Sequence, residues 1–391
     1  MDSSVAAPAQ SSASAQGPEE PKAPFRPRFK LVVSDFHLGK GRHFRDGSQN
    51  ILEDFIYDRE FAEFLNYHRT GAFFNADVEL ILNGDILNLL QVDAWGVHTH
   101  MISDRTVSHA VSKIIEGHPE FFAGLRKFAA TPGHTVSYVV GNHDVGMLFQ
   151  GARRVFSEAV GAEVKFYDEV YRFDGIWVEH GQQYERFASV DMKRPFITRG
   201  VPEPVLNLPW GSLFVAVLLP KIKQERPHVD KVRPFSTFLR WVVIHDLWWG
   251  LKTGARIAKF VFDTVLFRRR YQIRQGVRAT FGLLKEITLY PNYDKIAIKI
   301  LEEHDDVSTV IFGHTHILKY RQWREGKQYF NEGTWNETTN LYLDDYGRQT
   351  RLTYAFIEYP EPSEHEPSPP KPKVRLKEWR GVWRPEMELL I

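Results

Sequence analysis

The chain has no cysteine and only 5 methionines among its 391 residues. Lack of cysteine excludes disulfides and thiolate sites, so any bound metal must take oxygen and imidazole nitrogen ligands. No stretch offers the roughly twenty uninterrupted apolar residues that a conventional spanning helix needs. The opening MDSSVAAPAQSSASAQGPEEPKAPFRPR has neither the basic start nor the apolar core of a secretory signal. Its Ala, Ser and Pro content reads as a disordered tail over residues 1–28. Cytoplasmic residence is the resulting expectation. Net charge is nearly absent as well, at +1, with 43% hydrophobic and 25% charged residues, a globular composition.

That overall balance hides an uneven distribution. Between Arg186 and Leu284 there are 18 Lys and Arg against 6 Asp and Glu, a local +12 that leaves −11 for the remainder. The same segment holds LNLPWGSLFVAVLLPKIK, FLRWVVIHDLWWGLK and RIAKFVFDTVLFRRR, apolar pieces bracketed by cations. Such pieces suit helices lying in a membrane interface, with tryptophan at headgroup level and cations on anionic lipid. The competing reading is a helical subdomain packed on itself or on a second subunit. The organisation expected is a core over 29–185 and 285–360, interrupted by a helical insertion over 186–284. A Pro- and charge-rich linker and tail follow over 361–391.

Within the core, short β-branched runs end in polar residues. KLVVSDFHLGKG leads to Asp35 and His37, VELILNGDILN to Asp85, and VSYVVGNHD to Asn142, His143 and Asp144. IWVEHGQQ leads to His180 and STVIFGHTH to His314 and His316. Between the early runs, REFAEFLNYHR and PEFFAGLRKFAA carry helical spacing of apolar residues. Alternating strand and helix imply a layered α/β domain with ligands on loops beyond strand ends. Asp-x-His and His-x-His each place two ligands on one side of an extended segment. Two cations about 3.5–4 Å apart can share a carboxylate within such a set. Glycines before Asp85, Asn142 and His314 let the backbone turn beside the metals.

The five blocks DFH, GD, GNHD, EHG and GHTH, in that order, resemble the calcineurin-like metallophosphoesterase superfamily. The resemblance implies a four-layer α/β/β/α sandwich, with QYFNEGTWNETT and RLTYAFIEYP as strands closing its second sheet. It also implies one metal on Asp35, His37, Asp85 and His316, and a second on Asp85, Asn142, His180 and His314. Manganese is the metal expected, with iron and zinc also suited to these donors. A hydroxide bridging the metals would attack phosphorus. His143 is the implied residue facing the leaving group, with Asp144 as its support. His98 and His100 in GVHTH fall outside the implied ligand set and are read as surface or substrate-rim residues.

The position of the insertion, and NEGTW after the last motif, resemble the bacterial branch containing UDP-2,3-diacylglucosamine hydrolase. That resemblance implies a phosphate-containing, lipid-linked substrate met at the inner face of the cytoplasmic membrane, with membrane contact through 186–284. Two features depart from the branch: His143 stands where its familiar members have Arg, and the insertion is longer. A metal-dependent nuclease is the alternative, but interleaved apolar runs suit nucleic acid poorly. A non-catalytic membrane scaffold conflicts with a ligand set that has lost no member.

Overall fold

In the computed structural model, residues 26–233, 235–270, 291–340, 347–361 and 370–389 are described. Residues 1–25 of the expected 1–28 tail and insertion residues 271–284 lie outside them, and Arg28, assigned to that tail, instead opens the first strand. The core begins with β1 (Arg28–Val33), α1 (Asp58–Tyr67), β2 (Asp77–Asn83), α2 (Asp104–Gly117) and α3 (Pro119–Ala129). It continues with β3 (His134–Val139), α4 (Gln150–Val160), β4 (Val164–Tyr167), β5 (Val170–Phe173) and β6 (Ile176–Glu179). The insertion then supplies β7 (Phe196–Ile197), β8 (Val205–Leu206), α5 (Trp210–Val217), α6 (Leu219–Glu225), β9 (Val232–Arg233), α7 (Phe235–His245) and α8 (Leu247–Arg270). The chain returns through α9 (Tyr293–Glu303), β10 (Thr309–Phe312), β11 (Lys319–Gln322) and β12 (Gln328–Asn331). It closes with β13 (Thr338–Asn340), β14 (Gly347–Gln349), β15 (Thr353–Tyr359), β16 (Lys373–Trp379) and β17 (Glu386–Glu388).

Two sheets form the centre. The larger runs β17-β16-β15-β1-β2-β3-β4 and the smaller β11-β12-β10-β6-β5. Side chains alternate across a strand, so β1 serves two cores. Leu31 and Val33 face the layer of α1 to α4, whereas Val32 joins Ile81, Val139, Val178, Ile311 and Phe330 between the sheets. On the far side, Ala297, Ile300 and Leu301 of α9 cover Val310 and Tyr329. The layers are α/β/β/α, the expected fold. Strands β1 to β4 are mutually parallel, as are β6, β10 and β12. Their outgoing loops therefore gather at one end of the sandwich.

Two sequence expectations need correction. β12 does join the second sheet, beside β10, but β15 pairs antiparallel with β1 in the first. The segment after 360 is also more than linker and tail. β16 pairs along β15, and Trp379 is buried against Phe64 and Tyr67 of α1. In VRLKEW, Val374 and Leu376 join the apolar cluster between the sheets and Trp379 reaches the helical layer, and this burial favours the added strand.

The insertion packs on the core. Trp210, Leu213, Ala216, Ile222 and Phe260 share one apolar cluster with α1 to α4. Lys223, fully buried, lies 2.9 Å from Asp54 and 2.8 Å from Asp230, which compensates a cation that burial alone would penalise. β9 pairs with β13, clipping the insertion to the segment after the last motif. His98 and His100 lie under this layer; the His100 ring stacks on Phe260, and neither histidine belongs to the candidate ligand groups.

Candidate metal centre

Every expected ligand leaves the end of a central strand or the loop just after it. Asp35 and His37 follow β1, Asp85 follows β2, Asn142 follows β3, His180 follows β6, and His314 and His316 follow β10. Their backbone is unusual. Seven described non-glycine residues have positive φ, and five of them are Asp35, His37, Asp85, His314 and His316, at 52–66°. A left-handed side-chain residue costs roughly 1–3 kcal/mol and persists where surrounding structure enforces it. Here the enforcement is visible: Asp35 N donates to Gly84 O, His37 N to Asp85 O and His314 N to Asp35 Oδ2. Two glycines are needed for close approach. A methyl group on Gly84 would lie 2.5 Å from the His180 ring, and one on Gly141 would collide with Asp85 Oδ1.

The side chains converge in three overlapping groups, Asp35–His37–His316, Asp85–His180–His314 and His37–Asp85–His143, each with ligand atoms within 4.8 Å of one another. His37 Nε2 is 3.0 Å from His316 Nε2 and 3.7 Å from Asp85 Oδ2, so Asp85 stands between the groups. His180 Nε2 is 3.2 Å from Asp85 Oδ2, and His316 Nε2 is 3.2 Å from Asp35 Oδ1. Despite this crowding, His180 Nε2, Asp35 Oδ1 and Asn142 Oδ1 are buried without a hydrogen-bond partner. Buried acceptors are rarely left so. Carboxylate, amide and imidazole donor atoms converging in this way are what divalent cations would satisfy. His180 Nδ1 donates to Asn83 O, the kind of outer contact that fixes a ligand tautomer.

Electrostatics agree with geometry. Burial alone would raise Asp35, but His180, His316 and His37 outweigh it and hold its carboxyl well below the usual range. Asp85 is lowered for the same reason, by His180 foremost. Burial would lower His180, yet Asp85 and Asp35 push it up to about 10. Without cations the histidines neutralise the two carboxylates; cations would take over that role.

His143 lies beside this cluster, its ring 4.5 Å from that of His37 and nearly perpendicular to it. Its N–H on the backbone donates to Asp85 Oδ1, and its Nδ1 lies 2.8 Å from Asn88 Oδ1. Burial lowers the imidazole to about 3, so it rests neutral with Nε2 toward the site. Asp144 does not support it. Its Oδ2 accepts from Tyr138 Oη and Ile86 N, and its Oδ1 from Gly141 N, which makes it a brace for the loops. Asn88 is the residue sequence reasoning missed, along with Glu185, whose Oε2 is 3.2 Å from His314 Nε2.

A sandwich with carboxylates and imidazoles gathered at its strand ends offers donors suited to divalent metals. The chain belongs to the calcineurin-like phosphoesterase family, whose sequence profile matches residues 31–318. It is thus a hydrolase of phosphate esters, and its donors suit divalent metals. No curated protein matches it significantly. Among solved structures it is similar to a dimetal phosphatase from Danio rerio, at 9% identity and TM-score 0.36, over 92% of this chain and 98% of that one. It is also similar to the calcineurin-like phosphoesterase YfkN of Bacillus subtilis, at 13% identity and TM-score 0.33, over 90% and 91%. A predicted phosphoesterase from Streptococcus pneumoniae shares 9% identity at TM-score 0.30, over 94% and 99%.

Proposed function

We propose that the chain cleaves a phosphoester or pyrophosphate bond of an amphiphile, holding phosphate at the metal centre and the apolar part beneath the insertion. One observation carries this reading. A single cavity of about 590 Å³ has His37, Asp85, Asn142 and His316 at one end and Phe187, Trp210, Phe214, Ile222 and Trp249 along its walls. Ligand pockets usually span roughly 300–1,000 Å³ with mostly apolar walls and few polar groups. A nucleic-acid groove would line its path with cations, whereas Lys231 is the one Lys or Arg on this cavity among the described residues.

Two divalent cations, manganese by expectation, would lower the pKa of water and neutralise charge on phosphoryl oxygens. The protein's own groups do the rest. Asn88 holds the His143 ring so that Nε2 faces the cavity, placed to exchange one proton with a group on the substrate. Resting neutral, His143 carries no extra charge into a site that must hold cations. The apolar walls orient the substrate and exclude water from its tail.

The outer face of the same helices supports substrate uptake from a membrane surface. Phe238, Val242 and Trp249 line the cavity, yet Ile244, Leu247, Trp248 and Leu251 face outward, Trp248 at 80% exposed. Arg240, Lys252 and Lys259 are exposed on the same helices, a pairing that suits anionic lipid at the cytoplasmic face. No described helix is long and apolar enough to cross a membrane, so the contact would be peripheral. A nucleotide-linked lipid of the UDP-2,3-diacylglucosamine kind is one candidate substrate. His143, where that branch carries Arg, keeps other phospholipid-like esters in view.

The test is a hydrolysis panel with manganese: nucleotide-linked lipids, alkyl phosphomonoesters, simple diesters and DNA, with and without anionic liposomes. Hydrolysis of the amphiphiles that Asp85→Ala abolishes is expected. Preferential cleavage of DNA, or equal rates on all small diesters regardless of tail, would overturn the substrate reading.

A further inference from the structure

The insertion leaves the core at Glu185 and returns at Tyr293, 108 positions later, and these two residues meet at a metal ligand. Glu185 Oε2 lies 3.2 Å from His314 Nε2, with both side chains largely buried. Tyr293 Oη lies 3.2 Å from Glu185 Oε1 and 3.1 Å from Gly181 O, so its one hydroxyl proton is shared between these two acceptors. Tyr293 is fixed in turn. It is the first residue of α9, capped by Asn292, whose Oδ1 accepts from Lys295 N, and its ring packs on Phe312 of β10.

Nε2 of His314 approaches the Glu185 carboxylate without completing a hydrogen bond to it. A small turn of either side chain would place a ring N–H on that carboxylate, which would orient the ring, make it more basic and leave Nδ1 for a cation. Glu185 also lines the substrate cavity, and Ala188 N and Ser189 N donate to its carbonyl oxygen. One residue therefore touches the metal ligand, the cavity and the first turn of the insertion.

We propose that Glu185 is the positioning residue of His314 and that Tyr293 locks it, so that both ends of the insertion are tied to the second metal site. The inference rests on the two-metal reading above. Its consequence is that displacement of the insertion by a bound tail alters the orientation of one metal ligand and leaves the Asp35–His37–His316 group alone.

The experiment is a calorimetric titration of metal-free full-length chain with Mn²⁺, comparing wild type with Glu185→Ala, Glu185→Gln and Tyr293→Phe. Wild type should bind two ions. Glu185→Ala should weaken one of them by about 10–100-fold, the usual effect of losing an outer-sphere partner, and leave the other within about twofold. Glu185→Gln retains an acceptor and should recover part of the loss; Tyr293→Phe should weaken the same ion by less. On a short-chain ester, kcat should fall in the same order with KM little changed. Circular dichroism of the metal-free chains separates misfolding from a site effect, and Tyr293→Phe, which only removes a hydroxyl, carries the test if Glu185→Ala does not fold. Two ions bound with wild-type affinity in both Glu185 variants would overturn the proposal while leaving the two-metal reading intact. Fewer than two ions in wild type would overturn the two-metal reading itself, and this inference with it.

Discussion

Lengthening the tail of a soluble substrate should raise turnover until the chamber is full. Each methylene removed from water is worth about 0.8 kcal/mol, close to a fourfold gain in kcat/KM. From ethyl to octyl, six methylenes add roughly 5 kcal/mol, a ceiling of about three and a half decades at about 1.4 kcal/mol per decade. The assay uses p-nitrophenyl alkyl phosphodiesters below their micelle concentration, so that the chain length seen is that of a single molecule. Thr253→Phe is the matching perturbation. Thr253 is buried on the cavity wall and its hydroxyl has no hydrogen-bond partner, so no bond is lost and an aromatic ring takes up room. The octyl-to-ethyl ratio of the variant should fall at least tenfold below that of wild type. A flat wild-type profile would refute the chamber, and an unchanged ratio in the variant would refute this choice of wall.

Other outcomes follow from individual contacts. Asn88→Ala frees the His143 ring and should lower kcat by at least tenfold with KM nearly constant; an unchanged kcat would remove His143 from the reaction. Burial would lower His118, but Asp58, with Oδ1 2.8 Å from Nδ1, and Glu53, at 3.4 Å, raise it to about 9 from 6.5. A raised folded value stabilises fully below pH 6.5 and is lost as pH rises through about 9, some ~3 kcal/mol between pH 6 and 10. The urea-midpoint gap between wild type and His118→Gln should close over that range, and a gap independent of pH would contradict the pairing. Trp248→Asp, altering the outward face, should reduce flotation with anionic liposomes severalfold, while undiminished flotation would move the contact elsewhere.

Six of the seven expected ligands carry a local signal, a β-branched run broken by Asp, Asn or His, three of them preceded by glycine, whereas the lone His180 was placed by its order between GNHD and GHTH. Asn88 had no such signal. It is one polar residue in DILN, and its role depends on a loop 55 positions away. Glu185 was hidden in the same way, since its partner His314 comes from another strand. Proximity in sequence misled for Asp144, which neighbours His143 but spends its carboxylate on Tyr138 and two backbone amides. Strand identity was readable for β15, but its sheet was not, because pairing with β1 joins residues more than 300 apart. β16 was obscured by the proline-rich stretch before it. The insertion's sequence already showed a stretch, FLRWVVIHDLWWGL, apolar on most of its circumference; the fold adds which of these residues line the cavity and which face outward.

The most direct measurement is anomalous diffraction from crystals of the manganese-loaded chain. Two peaks are expected, one among Asp35, His37 and His316 and the other among Asn142, His180 and His314, with Asp85 reaching both. A single peak, or a second peak away from Asn142 and His180, would contradict the dinuclear site on which the account depends.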